Sequence, residues 1–376
     1  MDSRKCIGII YNNSKLWIGG AYYIQNLVSS LTLQSDDEQP YVDVYCNDDK
    51  SYEELCDITN YKYLRKNRYI CSKFKMLLNR ILYFLGLYKW IAVNTFKFNK
   101  EDIFIYPISG PYNLKERQVG WIADFQYCHY PQYFSKKELI SKHVRTKMLS
   151  QRKSHVVFSS HDSYNDYKRF YHHNKIRPHI IHFAVTLPDF SNEKIDILKS
   201  KYGINDSYYF CPNQFWKHKN HLFLFESFMK FKMTGGKGLL VCTGYPKDYR
   251  DPKYSDTIIN LLNKEEVKNC IKVLGFIDRK EMLCLMDNAI AVIQPSLFEG
   301  WSTVVEDAKA LGKYVYLSDI PVHKEQMKYN VCFFDPLNKE DLVSKLRFVR
   351  PQTIYKDYNQ NRKEFSDSFI SLINEF

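Results

Sequence analysis

The chain has 376 residues, 45% hydrophobic and 26% charged, with 14 Gly and 13 Pro. That length suits two domains of roughly 150 to 200 residues, and the composition excludes collagen-like, disordered and low-complexity classes. The net charge of +12 is concentrated: no acidic residue occurs between Asp57 and Glu101, where Lys62, Arg65, Lys66, Arg68, Lys73, Lys75, Arg80, Lys89, Lys97 and Lys100 accumulate.

Short β-branched and aromatic runs predict strands at 5–11, 42–46, 102–106, 118–122, 155–160, 208–212, 238–244, 271–275, 289–295, 314–318 and 331–335. Helical stretches separate most of them, which predicts an α/β protein with two Rossmann-like parallel sheets. The alternation pauses near Pro188 and resumes at Tyr208, so the boundary is set between an N-terminal domain, 1–187, and a C-terminal domain, 188–357. In such sheets ligands sit at the carboxyl ends of the strands, so the loops there are the places to look for chemistry.

After the first strand, Gly19 and Gly20 precede an amphipathic helix. They either let backbone amides approach an anion or form a flexible turn, and no G-x-G-x-x-G accompanies them. Asp124 and His129 lie just beyond a later strand in the aromatic segment GWIADFQYCHYPQYF. They suit hydroxyl recognition, although a structural histidine and an aspartate cap are equally natural. In CPNQFWKHKNHLF, Lys217 and Lys219 are expected in the first turn of a helix, where an anion would relieve their conflict with the helix dipole. His218 and His221 lack an evident third ligand for a metal.

The segment QPSLFEGWSTVVEDAKALG places Glu299 and Gly300 in a loop. Thr303 and Glu306 form a T-x-x-E capping box predicting a helix start near Val304, with Asp307 turned to another face. Two carboxylates beside free helix N–H groups match the phosphates and hydroxyls of a nucleotide sugar, but on chemistry alone an ordinary capped helix with acidic residues in its first turn explains them more readily.

The run F-E-G-W-S-T-V-V-E-D-A-K-A-L-G resembles the E-x7-E region of retaining glycosyltransferases of family 4, with the GT-B fold, in a mannosyltransferase-like subgroup. Gly19-Gly20, W-I-A-D-F-Q-Y-C-H-Y-P, N-Q-F-W-K-H-K-N-H and L-S-D-I-P-V-H-K-E-Q extend the resemblance in order along the chain. It implies two Rossmann-like domains facing across a cleft, with a final helix, 358–376, crossing back to the N-terminal acceptor-binding domain. Glu299 would hold donor-sugar hydroxyls. Gly300 and backbone amides of Ser302, Thr303 and Val304 would meet the sugar and diphosphate, with Gly19 and Gly20 approaching from the first loop. Asp307 stands at the ribose-binding acidic position and Lys219 at the diphosphate lysine. Phe276 and Ile277 would border the base, and Asp124 and His129 would lie near the transferred sugar. Gln214 stands where many relatives carry arginine, and Asp307 is one methylene shorter than the family's glutamate.

The resemblance implies transfer of a hexose-type sugar from a nucleoside diphosphate to a glycan or lipid-linked glycan, in surface polysaccharide synthesis. No D-x-D motif asks for a metal, and no cofactor beyond the donor is expected. Ten cysteines without C-x-x-C spacing, and a start lacking a secretory leader, predict the cytoplasm. The basic segment 62–100, with the apolar run Ile81 to Tyr88, reads either as a helix on an anionic membrane or as a core helix with a basic edge. Nucleic acid is not expected as a partner. The alternatives are a nucleotide-sugar epimerase of the same fold and a non-catalytic glycan-binding or scaffold subunit.

Overall fold

Helices between most successive strands disfavour hairpins, and every strand pairing runs parallel among the described residues. The computed structural model describes residues 4–11, 18–46, 48–68, 72–87, 98–108, 117–150, 154–172, 175–248, 250–349 and 351–376. The chain divides into one unit of Met1–Thr186 with Asn359–Phe376, and a second of Leu187–Tyr358.

The first unit holds β1 (Cys6–Ile10), β2 (Tyr41–Cys46), β3 (Leu64–Arg68), β4 (Ile105–Ile108), β5 (Gln118–Ile122), β6 (His155–Phe158) and β7 (Arg177–Ile180). Their order is β3-β2-β1-β4-β5-β6-β7. The two outer strands were absent from the sequence expectation for a common reason. Their sequences are LRKNR and RPHI, and sheet edges favour charge and proline over the apolar runs that mark central strands. The helix Asn359–Asn374 returns to this unit, as expected. Phe369 packs against Phe104 and Tyr106, and Gln34 Nε2 donates to Ser366 Oγ at 2.9 Å.

The second unit holds β8 (Tyr208–Pro212), β9 (Leu239–Thr243), β10 (Ile271–Val273), β11 (Val292–Gln294), β12 (Val315–Ser318) and β13 (Val331–Phe334), in the order β10-β9-β8-β11-β12-β13. Alternation along each strand feeds two cores. Tyr209, Cys211, Leu240, Cys242, Ile293 and Tyr316 enter one, and Tyr208, Phe210, Val241, Val292 and Leu317 enter the other. Burial on both faces explains why these strands read as nearly continuous apolar runs. The chain order reverses between β8 and β11, and ligands of doubly wound sheets gather beyond the carboxyl ends of such a pair.

No helix among the described residues is long and apolar enough to cross a membrane. The helix Lys73–Phe84 covers part of the basic segment. Residues 69–71 and 88–97 of that segment, with Lys89 and Lys97, lie outside the described residues.

Candidate functional site

The loops leaving β8 and β11 are tied together by Leu297 N–H, which donates to the His218 carbonyl at 2.7 Å. A 3-10 turn, Lys217–Lys219, follows β8, and Asn220 takes a left-handed conformation (φ 62°) before the helix His221–Met233. This corrects the expectation that both lysines occupy the first helical turn: they precede it. Lys217 Nζ turns away to Asp251 Oδ2 at 2.7 Å. Lys219 Nζ donates to Glu299 Oε1 at 2.6 Å, with the lysine side chain 14% and the glutamate 9% exposed.

Gln294, the buried last residue of β11, organises this pair. Its Nε2 lies 3.0 Å from Glu299 Oε1 and 3.2 Å from both Ser296 Oγ and Ser302 Oγ, while its Oε1 accepts from Asn213 Nδ2 at 2.5 Å. Burial by itself would raise Glu299, but Lys219, with His218 and His323, brings its carboxyl down to about 2. Burial, with Lys219 adding to it, pushes His218 down to about 3. Burial likewise takes His323 down to about 4. Both imidazoles are therefore neutral at pH 7, beside an ionised carboxylate and an ammonium.

The helix beyond the loop, Thr303–Ala310, is capped by Ser302, whose Oγ accepts from Val305 N–H. The capping box expected at Thr303 and Glu306 does not form, because the helix begins one residue earlier and Ser302 competes successfully for the cap. Glu306 is instead fully buried. It accepts from Lys309 and Gln326 at 2.9 Å each and from the Tyr358 hydroxyl at 2.5 Å. The Ser302 amide, expected to meet a ligand, is also engaged: Gln326 Oε1 accepts from it at 3.1 Å, and Gln326 Nε2 donates to the Ser302 carbonyl at 2.8 Å. Asp307 is 1% exposed and receives both arms of Arg279. Burial raises its carboxyl and Arg279 counters it.

Beyond β9 and β10, Gly244 (φ 107°) and Gly275 (φ 73°) turn the chain sharply, and Gly244 N–H donates to the Gly275 carbonyl at 2.7 Å. A Cβ at Gly244 would stand 2.3 Å from the Asn213 carbonyl oxygen, so only glycine fits this approach. The turns bring Tyr245 (60% exposed) and Phe276 (57% exposed) into a parallel stack, with centroids 6.0 Å apart. Gln214 Oε1 accepts from Tyr245 N–H at 3.2 Å, which gives that side chain a loop-holding task. Ile277 packs on the core of this unit.

In the first unit, Gly19 and Gly20 lie inside the helix Ile18–Leu31, in its first turn. Asp124 Oδ1 accepts from Gln126 N–H at 2.9 Å, a local turn bond. His129 ends the short helix Gln126–His129, and its Nε2 lies 2.6 Å from Asp166 Oδ2.

Residues 194–364 match the family described as glycosyl transferases group 1. That match lies in the second half of the chain. The O-antigen chain mannosyltransferase RfbU of Salmonella typhimurium is 22% identical over 238 residues, 63% of this chain and 62% of that protein. Among solved structures, HepE of Anabaena in complex with UDP and glucose is similar at a TM-score of 0.61 and 13% identity, covering 99% of this chain and 98% of that one. Sucrose-phosphate synthase from Thermosynechococcus elongatus gives a TM-score of 0.59 at 13% identity, covering 99% and 94%. At these identities the likeness is one of fold, and the fold is GT-B.

Within the second unit, sequence reasoning missed Gln294, Gln326, Arg279 and His323, and in the first unit it missed Asp166. Gln294 carried a signal, a lone amide ending the apolar strand AIAVIQP. Arg279 and Asp166 had none, since their partners lie 28 and 37 residues away.

Proposed function

We propose that this chain is a retaining glycosyltransferase of family 4. It moves a hexose-type sugar from a nucleoside diphosphate to a hydroxyl of a glycan or lipid-linked glycan, in building a surface polysaccharide. The observation that carries this reading is the Lys219–Glu299 pair at the strand-order reversal, beside the start of the Thr303–Ala310 helix. With the Ser302 and Val305 amides engaged, the N–H groups of Thr303 and Val304 remain for a diphosphate, because the first helical donors have no partner in their own helix.

In the reaction, the bond from the anomeric carbon to the diphosphate oxygen breaks, and its electron pair leaves with the diphosphate. Lys219 and the helix amides stabilise that developing charge. The acceptor oxygen forms the new bond on the same face, and its proton passes to a phosphate oxygen of the donor. Glu299 holds donor hydroxyls, Phe276 faces the base, and Asp124 and His129 serve the sugar and acceptor from the acceptor-binding domain. Lysine and backbone amides supply the diphosphate neutralisation here, and no bridging metal is required by the proposal. The O-antigen chain mannosyltransferase RfbU and the UDP and glucose bound by HepE are consistent with such a donor.

We further place the protein in the cytoplasm, peripheral to an anionic membrane. Nine cysteines among the described residues are free thiols. The helix Lys73–Phe84 leaves Phe74, Leu77, Ile81 and Phe84 exposed among lysines and arginine. Reversing the charge of Lys73, Lys75 and Arg80 should abolish binding to anionic liposomes. Absence of binding by the native protein would remove this placement.

A second reading, a glycan-binding subunit without turnover, draws on Asp307 being occupied by Arg279 and on the neutral Gln214. Thermal-shift measurements with a panel of nucleotide sugars, followed by transfer assays with the stabilising donor, separate the two. A donor that stabilises and is consumed supports the transferase. Glycan binding without consumption of any donor supports the subunit.

A further inference from the structure

The second unit carries a cavity of about 580 Å³ that the candidate site does not use, lined in part by Tyr314, Tyr329, Phe348 and Gln352. Tyr314 directly precedes β12 and Asn330 directly precedes β13, so the cavity lies at the amino ends of these parallel strands. Lys219 and Glu299 follow the carboxyl ends of β8 and β11 in the same sheet. The two places are at opposite ends of the strands, and a ligand in the cavity is not the donor.

The walls of the cavity are held by the fold. Asn330 takes a left-handed conformation (φ 53°), which asparagine tolerates better than most residues. Its side chain clasps the segment beyond the helix Lys339–Phe348: Nδ2 donates to the Ile354 carbonyl at 3.0 Å, and Oδ1 accepts from Ile354 N–H at 2.6 Å. The Tyr316 hydroxyl donates to the Val349 carbonyl at 2.7 Å. A cavity fixed in this way costs little to order when a ligand enters, and its volume falls within the roughly 300 to 1,000 Å³ usual for small-molecule sites.

The lining defines the ligand. Tyr314 is 7% exposed, yet its hydroxyl has no hydrogen-bond partner among the described residues and is not sealed from solvent. An apolar ligand would leave that group unpaired, so the ligand carries groups that donate or accept. Phe348 and Tyr329 are 73% and 54% exposed, and such aromatic surface calls for an apolar face on the same ligand. Lys328 is the one charged lining side chain among the described residues, and its Nζ already donates to the Lys324 carbonyl. A single shared ammonium is too little for a diphosphate. A pyranose ring has hydroxyls at its edge and a C–H face, which answers both demands.

We propose that this cavity is a second saccharide site, which holds a segment of glycan with a sugar ring against Phe348 and Tyr329 and a hydroxyl on Tyr314. The choice of a glycan rests on the transferase reading above. Held there, a growing chain stays tethered to the enzyme between transfers, which raises the effective concentration of acceptor.

The test is calorimetric titration of mannohexaose, maltohexaose and cellohexaose into the full chain. At least one should bind the wild type. Tyr314→Phe removes only an unpaired hydroxyl and should weaken that binding about 3- to 10-fold. Tyr329→Ala with Phe348→Ala removes exposed rings and should weaken it about 10-fold or more. Lys219→Met should bind the oligosaccharide as the wild type does. Binding of none of the three, or equal affinity in the wild type and both cavity variants, overturns the proposal, as does a loss confined to Lys219→Met. Should the double variant fail to fold, a wild-type crystal soaked with the bound oligosaccharide decides: a sugar ring against Phe348 and Tyr329 supports the assignment, and a sugar seated only elsewhere overturns it. Nucleotide binding without oligosaccharide binding defeats the cavity alone, whereas oligosaccharide binding without binding or turnover of any nucleotide sugar defeats the transferase reading.

Discussion

Arg279 donates to both oxygens of Asp307, Nη1 to Oδ2 at 2.6 Å and Nη2 to Oδ1 at 2.5 Å. The carboxylate that the sequence resemblance assigns to ribose is thereby engaged from within the protein, by a residue 28 positions away in sequence. The carboxylate is 2% and the guanidinium 25% exposed, so the pair is desolvated on one side and reachable on the other.

Removing one partner should be far more harmful than removing both. Arg279→Met leaves a buried, uncompensated carboxylate and should cost about 3 to 5 kcal/mol in urea unfolding, whereas Arg279→Met with Asp307→Leu should recover most of that loss. A single-variant cost below about 1 kcal/mol would mean that the fork does not carry the local stability.

The cap assignment is equally direct to check. Ser302→Ala should lower stability by about 1 kcal/mol or more, since Ser302 Oγ serves both Val305 N–H and Gln294. Thr303→Ala should stay within about 0.5 kcal/mol of the wild type. Chemical denaturation of the two variants side by side gives the answer, and the reverse order would restore the T-x-x-E box.

Acid should weaken the second unit before carboxylates titrate generally. The unfolded chain protonates His218 and His323 near 6.5, whereas the folded chain does so only near 3 and 4. Between those values the unfolded state binds more protons, so stability is complete above pH 6.5 and falls as pH drops toward 4. The contribution lost is on the order of 3 kcal/mol for His323 alone. Unfolding midpoints measured from pH 7.5 to 4 should fall steadily for the wild type and less steeply for His323→Gln.

In the first unit, Asp166 orients His129 at 2.6 Å. On the proposed function, Asp166→Asn should lower kcat of the transfer reaction about 10-fold or more, with KM for the nucleotide donor little changed, because His129 and Asp166 belong to the first unit and the proposed diphosphate site to the second. Equal loss in donor affinity would assign His129 a different task.

The sequence carried the central strands, the alternation and the positions of the strand-end loops, because strands buried on both faces leave an apolar signature. It did not carry β3 and β7, whose edge positions tolerate LRKNR and RPHI. Within the candidate site, Lys219 and Glu299 were legible as types in loops, and the structure adds that they bond to each other. The helix boundary went astray by one residue because Ser302 and Thr303 are both competent caps, and only the tertiary bond from Gln326 to the Ser302 backbone distinguishes them. Residue types alone pointed to Lys217 as a second anion contact, but Asp251, which claims it, lies 34 residues away.

The most direct measurement is calorimetric titration of UDP and GDP into the wild-type chain and into Lys219→Met. One of the two nucleotides should bind the wild type and lose about 100-fold in affinity in the variant, since a desolvated ammonium at a diphosphate contributes on the order of 3 kcal/mol. Equal affinity of both proteins for the bound nucleotide, or binding of neither nucleotide by the wild type, would contradict a diphosphate seated between Lys219 and the helix that starts at Thr303.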